Sequence, residues 1–270
     1  QNETPQFPRQ PAYGPMLGRA NEIFDGVSSW EEFKSRYDDQ EVVFLDYETT
    51  GLVFDEFNRS SGNGAPVQIG AVKVKGGQVT DRFNVFVNPN MQKSEWEEWS
   101  RNSLKGPNGE PLTDEFLADK TSIAEAHRML AEFAGPNALM GVQNAAFDKN
   151  VLDDALRDAG IEWRPGGWID LKDMAAMTLP RYSAENPDGP YKTDRKTGEK
   201  VPSSSLKEIT KYLGVDLGDK HHNADADAEA TAESMRKLID GAIEKQWSLD
   251  ALDSARREQY VETENRRFDD

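Results

Sequence analysis

The chain has 270 residues, enough for a sizeable core in one large domain or two small ones. Its 49 acidic and 32 basic side chains leave a net charge of −17, so there is no general basic footprint for a nucleic-acid duplex and the surface as a whole repels a polyanion. The lack of cysteine excludes disulfides and thiolate zinc sites, no apolar run approaches the ~20 residues of a membrane span, and the polar, proline-bearing start is no signal peptide; an intracellular, cytoplasmic protein is the expectation.

Residues 1–28 hold Pro5, Pro8, Pro11 and Pro15 without periodicity and read as a tail or linker. A short helix follows, opened by a Ser29/Glu32 capping box with Trp30, Phe33 and Tyr37 on one face. Val42 to Leu45 is an apolar strand that delivers Asp46 and Glu48 at its end. Residues two apart on an extended chain point the same way, so both carboxylates face one site and Tyr47 points away from it. Val67–Val74 and Val79–Val87 read as two more strands around a Gly76-Gly77 turn, which predicts antiparallel pairing.

From Ser122 the pattern changes to helix. Ile123, Ala126, Met129, Leu130 and Phe133 form its inward face, and Gly135-Pro136 stops it. Leu139–Val142 is a short strand leading into Asn144–Asp148, followed by a helix to Gly160 with Val151, Leu152 and Leu156 inward. Trp168–Leu171 is a strand or its end, and the helix after it carries Met174 and Met177 as far as Pro180. Arg181–Ser204 reads as a flexible insertion bearing Lys192, Arg195, Lys196 and Lys200. Ser205–Gly214 is a short helix, and a long Ala-rich helix starts near Asp225. Residues 249–262 have helical propensity and pack outside the core. Three strands and then alternating helix and strand predict an α/β domain over residues 29–245, a mixed sheet of five strands flanked by helices, with residues 246–270 as a C-terminal helical extension.

Four carboxylates, Asp46, Glu48, Asp148 and Asp227, with the imidazole of His222, make up the set needed to hold two hard divalent cations and deprotonate a water beside them. Phosphodiester hydrolysis is the reaction that most often needs it. Four acids in one cleft cannot all stay ionised without cations, and a histidine titrating near pH 7 can accept a proton. Cations at the site would also let an acidic protein bind the end of a phosphate chain.

Asp46–Leu52 (DYETTGL), Gln143–Asp148 (QNAAFD) and His222–Thr231 (HNADADAEAT) resemble the three motifs of the DnaQ-like family, in its order and over roughly residues 41–240. This is the DEDDh branch of 3′–5′ exonucleases, which includes the proofreading epsilon subunit of the bacterial replicative polymerase. The resemblance implies an RNase H-like fold and a cofactor pair of Mg²⁺ or Mn²⁺. Asp46 would bridge both metals, Glu48 and Asp227 would complete the nucleophile-side metal, Asp148 would serve the second, and His222 would be the general base. Thr49, Thr50 and the backbone near Gly51 would hold the 3′-terminal nucleotide, Leu52 would wedge against its base, and Asn144 and Phe147 would line the pocket.

Each of these residues also has a plainer reading. Asp148 fits a helix N-cap, and Leu52 and Phe147 fit core positions. His221 competes with His222, but the five-residue spacing to Asp227 favours His222. Asp225 reads as helix N-terminal charge, and His127 is given no function. Gln143 stands where many relatives carry His. The Arg181–Ser204 insertion reads as a solvated excursion or as a basic finger on the substrate strand.

The function that follows is a metal-dependent exonuclease releasing nucleoside 5′-monophosphates from the 3′ end of single-stranded DNA, in replication or repair. An RNase T-like exoribonuclease and a non-catalytic 3′-end binder remain open. The expected partners are a single-stranded 3′ end and a polymerase or larger parent assembly, with no membrane. The Pro-bearing start, a first residue other than Met and the acidic surface suit such a tethered domain.

Overall fold

The computed structural model describes residues 13–51, 64–218 and 223–269. The N-terminal part comprises β1 (Met16–Gly18), α1 (Arg19–Ile23), α2 (Trp30–Asp38), β2 (Val42–Thr49), β3 (Pro66–Lys75) and β4 (Gln78–Asn88). Short helices α3 (Glu98–Ser103) and α4 (Asp114–Ala118) precede β5 (Thr121–Ser122), α5 (Ile123–Ala134), β6 (Leu139–Val142), α6 (Ala145–Asp158), β7 (Gly167–Asp170) and α7 (Leu171–Thr178). The hairpin β8 (Tyr191–Thr193) and β9 (Lys200–Pro202) leads to α8 (Leu206–Leu213), α9 (Ala224–Lys245) and α10 (Ser254–Asp269).

The main sheet has the order β1-β7-β6-β2-β3-β4-β5, seven strands rather than the expected five. The two extra strands, β1 and β5, are three and two residues long, too short to show an alternation. β3 and β4 pair antiparallel around the Gly76-Gly77 turn, β2 and β3 are antiparallel too, and β2–β6 and β6–β7 are parallel. The mixed α/β class holds.

Side-chain alternation along β2 builds two cores. Val42 and Phe44 join Val72, Met235, Leu238 and Ile239 on the face covered by α2, α7 and α9. Val43, Leu45 and Tyr47 join Ile69, Leu130, Leu152 and Leu156 on the face covered by α5 and α6. Each fully buried aliphatic side chain stabilises the fold by ~1.5–3 kcal/mol. The α2 helix is capped as expected, with Ser29 Oγ accepting from Glu32 N–H at 3.2 Å.

Four sequence expectations change. The tail does not extend to residue 28: β1 pairs with β7, and Met16, Ala20, Phe24 and Val27 are buried in the core. Proline spacing masked a short edge strand that Pro15 precedes. Met129 is 39% exposed instead of inward, because α5 turns only Ala126, His127, Leu130 and Ala134 fully under the sheet. The Arg181–Ser204 segment contains the β8–β9 hairpin rather than being a loop throughout. Residues 249–262 do not pack outside the core: Ala251 and Leu252 are buried in it, and α10 docks on α7 through Tyr260 Oη, which donates to Asp173 Oδ1 at 2.8 Å.

Candidate active site

β2 carries Asp46 and Glu48 onto the α9 face of the sheet, and Gly70 opposite Asp46 on β3 brings the third acid to them. A Cβ at Gly70 would lie 2.2 Å from the carbonyl carbon of Ala224 and the amide nitrogen of Asp225. Only a residue without a side chain lets the first turn of α9 rest on the strand. Gln68 fixes that turn: its Oε1 accepts from Ala224 N–H at 3.2 Å, and its Nε2 donates to Asn223 Oδ1 at 2.8 Å. Asp227, one turn into α9, therefore arrives beside β2. One carboxylate oxygen from each of Asp46, Glu48 and Asp227 lies within 4.8 Å of the others.

Asp148 approaches from the other side. It sits in the first turn of α6, where its Oδ1 accepts from Tyr47 N–H at 3.2 Å. It is not the N-cap; Asn144 holds that position, with its backbone extended. Asp170 fixes this helix start, its Oδ2 accepting from Ala145 N–H and its Oδ1 from Lys172 N–H, both at 2.9 Å.

Burial dominates the electrostatics. It pushes the Asp46 and Glu48 carboxyls well above the ordinary carboxylate range, and the neighbouring acids push them further. Burial raises Asp148 to about 8, although the N–H groups of Tyr47 and Asn144 pull it down. Among the described residues, Asp46 Oδ2 is buried without a hydrogen-bond partner. Such an orphaned carboxyl oxygen facing two other carboxyl groups fits a hard divalent cation, which would favour the ionised form.

Tyr47 does turn away from the acids. Burial lowers the His127 pKa below its ordinary value, so the ring is neutral. Its Nδ1–H then donates to Ile123 O at 2.6 Å, and its Nε2 accepts from Tyr47 Oη at 2.8 Å.

Thr50 is wholly buried; its Oγ1 accepts from Ala65 N–H, and its carbonyl accepts from Glu97 N–H, both at 2.9 Å. Thr49 donates its hydroxyl to Gly51 O. These bonds shape the turn after β2 that was expected to hold a nucleotide. Phe147 is half-buried against the α5–α6 core, and Asn144 is half-buried beside it. Leu52, His221 and His222 lie outside the described residues.

The RNase_T family model, described as exonuclease, matches residues 43–235, and all four acids fall inside that span. The chain belongs to this exonuclease family. Its three motifs put it among the DnaQ-like, DEDDh members. It is 29% identical over 233 residues to a DNA polymerase III PolC-type of Oceanobacillus iheyensis, a match covering 85% of this chain and 14% of that one. It is 32% identical over 204 residues to the Clostridium perfringens DNA polymerase III PolC-type, covering 74% and 11%. The exonuclease chain thus spans about one-seventh or less of the length of these relatives. The fold matches the nuclease domain of 3′hExo, a DEDDh family member bound to rAMP, with a TM-score of 0.53, 16% identity and coverage of 77% and 94%. It also matches the RNase domain of the yeast Pop2 protein, with a TM-score of 0.52, 12% identity and coverage of 79% and 82%.

Sequence reasoning missed three positioning residues of this exonuclease. Gln68 and Gly70 share the strand face that Asp46 and Glu48 use, and a buried Gln followed two residues later by Gly in an apolar strand was an available signal. Asp170 ends a buried strand, much as Asp46 follows the apolar run Val42–Leu45. His127 carries no such mark, because its partner Tyr47 is 80 residues away.

Proposed function

We propose that this 3′–5′ exonuclease removes nucleoside 5′-monophosphates from the 3′ end of single-stranded DNA, as a proofreading unit attached to a polymerase. The observation that carries the catalytic reading is the buried, partnerless Asp46 Oδ2 set among the Glu48 and Asp227 carboxylates. In this reading Asp46, Glu48 and Asp227 hold Mg²⁺ or Mn²⁺, and Asp148 supports a second ion. Bound cations would offset the buried negative charge and polarise the scissile phosphodiester. The chain's own tasks are then specific. His222 takes the proton from the attacking water, so that the oxygen closes on phosphorus as the 3′-oxygen of the penultimate nucleotide leaves and is protonated from solvent. The turn at Thr49–Gly51, with Leu52, Asn144 and Phe147, holds the terminal nucleotide in line.

The assignment to DNA and to a polymerase rests on the PolC-type relatives, which are named as DNA polymerases and align with 74% and 85% of this chain. No helix among the described residues is long and apolar enough to cross a membrane. End-labelled DNA and RNA strands, incubated with Mg²⁺, Mn²⁺ or EDTA, test the proposal. Stepwise shortening of DNA from the 3′ end, lost with EDTA and blocked by a 3′-phosphate, is expected. Faster shortening of RNA would move the substrate to RNA, and cutting of a circular strand would refute the exonuclease polarity.

A further inference from the structure

The hairpin of β8 and β9 is a cationic projection on an acidic protein. Lys192, Arg195, Lys196 and Lys200 are all exposed. None of the four forms an ion pair among the described residues. Several basic side chains elsewhere are taken up by acids, as in Lys34–Asp240 at 2.7 Å, Arg82–Glu229 at 2.6 Å and Lys149–Asp153 at 2.7 Å. Four exposed cations against two acids, Asp194 and Glu199, on one hairpin of a chain of net charge −17 make a local site for an external anion.

The hairpin is built to keep its place. The Asp194 carboxylate folds the turn by accepting from Lys196 N–H at 2.8 Å and Thr197 N–H at 2.9 Å. Ser203 N–H closes the base on Pro190 O at 3.2 Å. Gly189 is buried with φ of 114°, and a Cβ there would lie 2.2 Å from Pro180 O, so the first limb is pressed onto the end of α7. The other limb is tied to the catalytic edge: Gln143 Nε2 donates to Ser204 O at 2.9 Å, one residue before the N-cap of the helix that carries Asp148.

A surface for an extended ligand joins the two. A cleft of about 190 Å³ under the hairpin is lined by Arg181, Tyr182, Pro202 and Ser204. It shares Arg181 and Ser204 with a cleft of about 540 Å³ that Lys172, Arg256 and Gln259 line, together with Asp250 and Glu264. Tyr182 and Tyr191 pack with ring centres 4.9 Å apart and planes tilted by 39°, with Lys200 Nζ 4.9 Å from the Tyr191 ring centre. Cations beside aromatic rings suit a single strand, whose phosphates and bases both need partners.

We infer that the β8–β9 hairpin and the cleft at its base guide the single strand upstream of the scissile nucleotide, with its four cations on the phosphates. The inference rests on the exonuclease reading for the direction of the strand but not for its binding. From base to tip the hairpin spans roughly 15 Å at ~3.3 Å per residue, so a dinucleotide at the catalytic acids would not reach the tip.

The test is the quadruple variant K192Q/R195Q/K196Q/K200Q in the whole chain. Anisotropy titrations in Mg²⁺ use a 20-nucleotide strand whose 3′-terminal linkage is a phosphorothioate, from 50 to 200 mM salt. Each phosphate that the protein no longer neutralises on a single strand takes ~0.7 off the log–log salt slope. The variant is expected to bind at least 5-fold more weakly at 50 mM and to show a slope shallower by ~1.5. KM on a 20-nucleotide DNA should rise in parallel, with kcat and dinucleotide hydrolysis unchanged. Wild-type affinity and slope in the variant would overturn the inference and leave the hairpin to an acidic protein partner. A wild-type chain that binds the strand through the hairpin yet hydrolyses nothing would uphold the inference and sink the catalytic reading instead.

Discussion

Replacing Asp148 by Asn in the metal-free protein should stabilise it at neutral pH. Asp148 is raised by burial to about 8 in the folded chain. A group raised on folding contributes stability that is present below its unfolded value, near 3.9, and lost as pH climbs toward 8. At pH 7 the folded protein must hold Asp148 protonated, where the unfolded chain would release the proton. With 1.36 kcal/mol for each pH unit between the ordinary carboxylate value and pH 7, this costs about 4 kcal/mol. Asn carries no such cost. Its amide can accept from Tyr47 N–H but cannot also accept a second N–H with its nitrogen, which removes ~1–2 kcal/mol. The net gain is ~2–3 kcal/mol at pH 7, and at 2–4 °C for each kcal/mol the Tm should rise by about 4–12 °C. At pH 5 the proton cost is only ~1.5 kcal/mol, so the gain should vanish. Thermal melts of both proteins in EDTA between pH 5 and 8 read this directly. A variant less stable than wild type at every pH, with a constant gap, would show that Asp148 is not held above its ordinary value. In saturating Mg²⁺ the ranking should invert, because wild type then gains a cation that the variant holds more weakly.

Gly70→Ala should lift the start of α9 off β3, since its Cβ would meet backbone at 2.2 Å; overpacking of this kind costs ~1–3 kcal/mol, and a Mg²⁺-induced rise in Tm should shrink as Asp227 withdraws. His222→Ala should lower turnover by roughly 10²–10⁴-fold while the metal-induced Tm rise persists, whereas His221→Ala should do far less; the reverse ranking in single-turnover assays would shift the base by one residue. Asp170→Asn accepts only one of two backbone N–H groups, so kcat should fall with KM for a dinucleotide little changed; because burial also raises the Asp170 carboxyl well above its ordinary range, any loss in Tm should be largest near pH 5 and shrink as pH rises.

The acids were legible in the sequence because strand and helix periodicity act locally. An apolar run ending in Asp46-Tyr47-Glu48 states its own geometry, and β2 follows it. The residues that position those acids were harder to read, because each acts across the fold. Gln68 reaches Asn223 over 155 positions, and Asp170 reaches Ala145 over 25. The seven-strand sheet was unreadable for a different reason. Two or three residues make no pattern, so β1 and β5 exist only by pairing with strands already formed. The hairpin was read as a loop because its turn and limbs are short and polar, and its order comes from Gly189, Ser203 and Gln143.

One strand carries two requirements that pull apart. Asp46 and Glu48 must share a face, and burial of both is unfavourable until cations arrive. A slip of β2 by one residue would relieve them by turning the acids toward α5 and Tyr47 toward α9, since the side-chain period is two. The Tyr47–His127 bond opposes that slip. Tyr47 Oη is buried and donates to a neutral ring whose other nitrogen is already committed to Ile123 O, so leaving the register would strand two buried polar atoms at ~1–3 kcal/mol each. The N–H of the same residue holds Asp148. Tyr47 therefore couples the strand's register to the placement of the fourth acid, which gives its bulk a structural use.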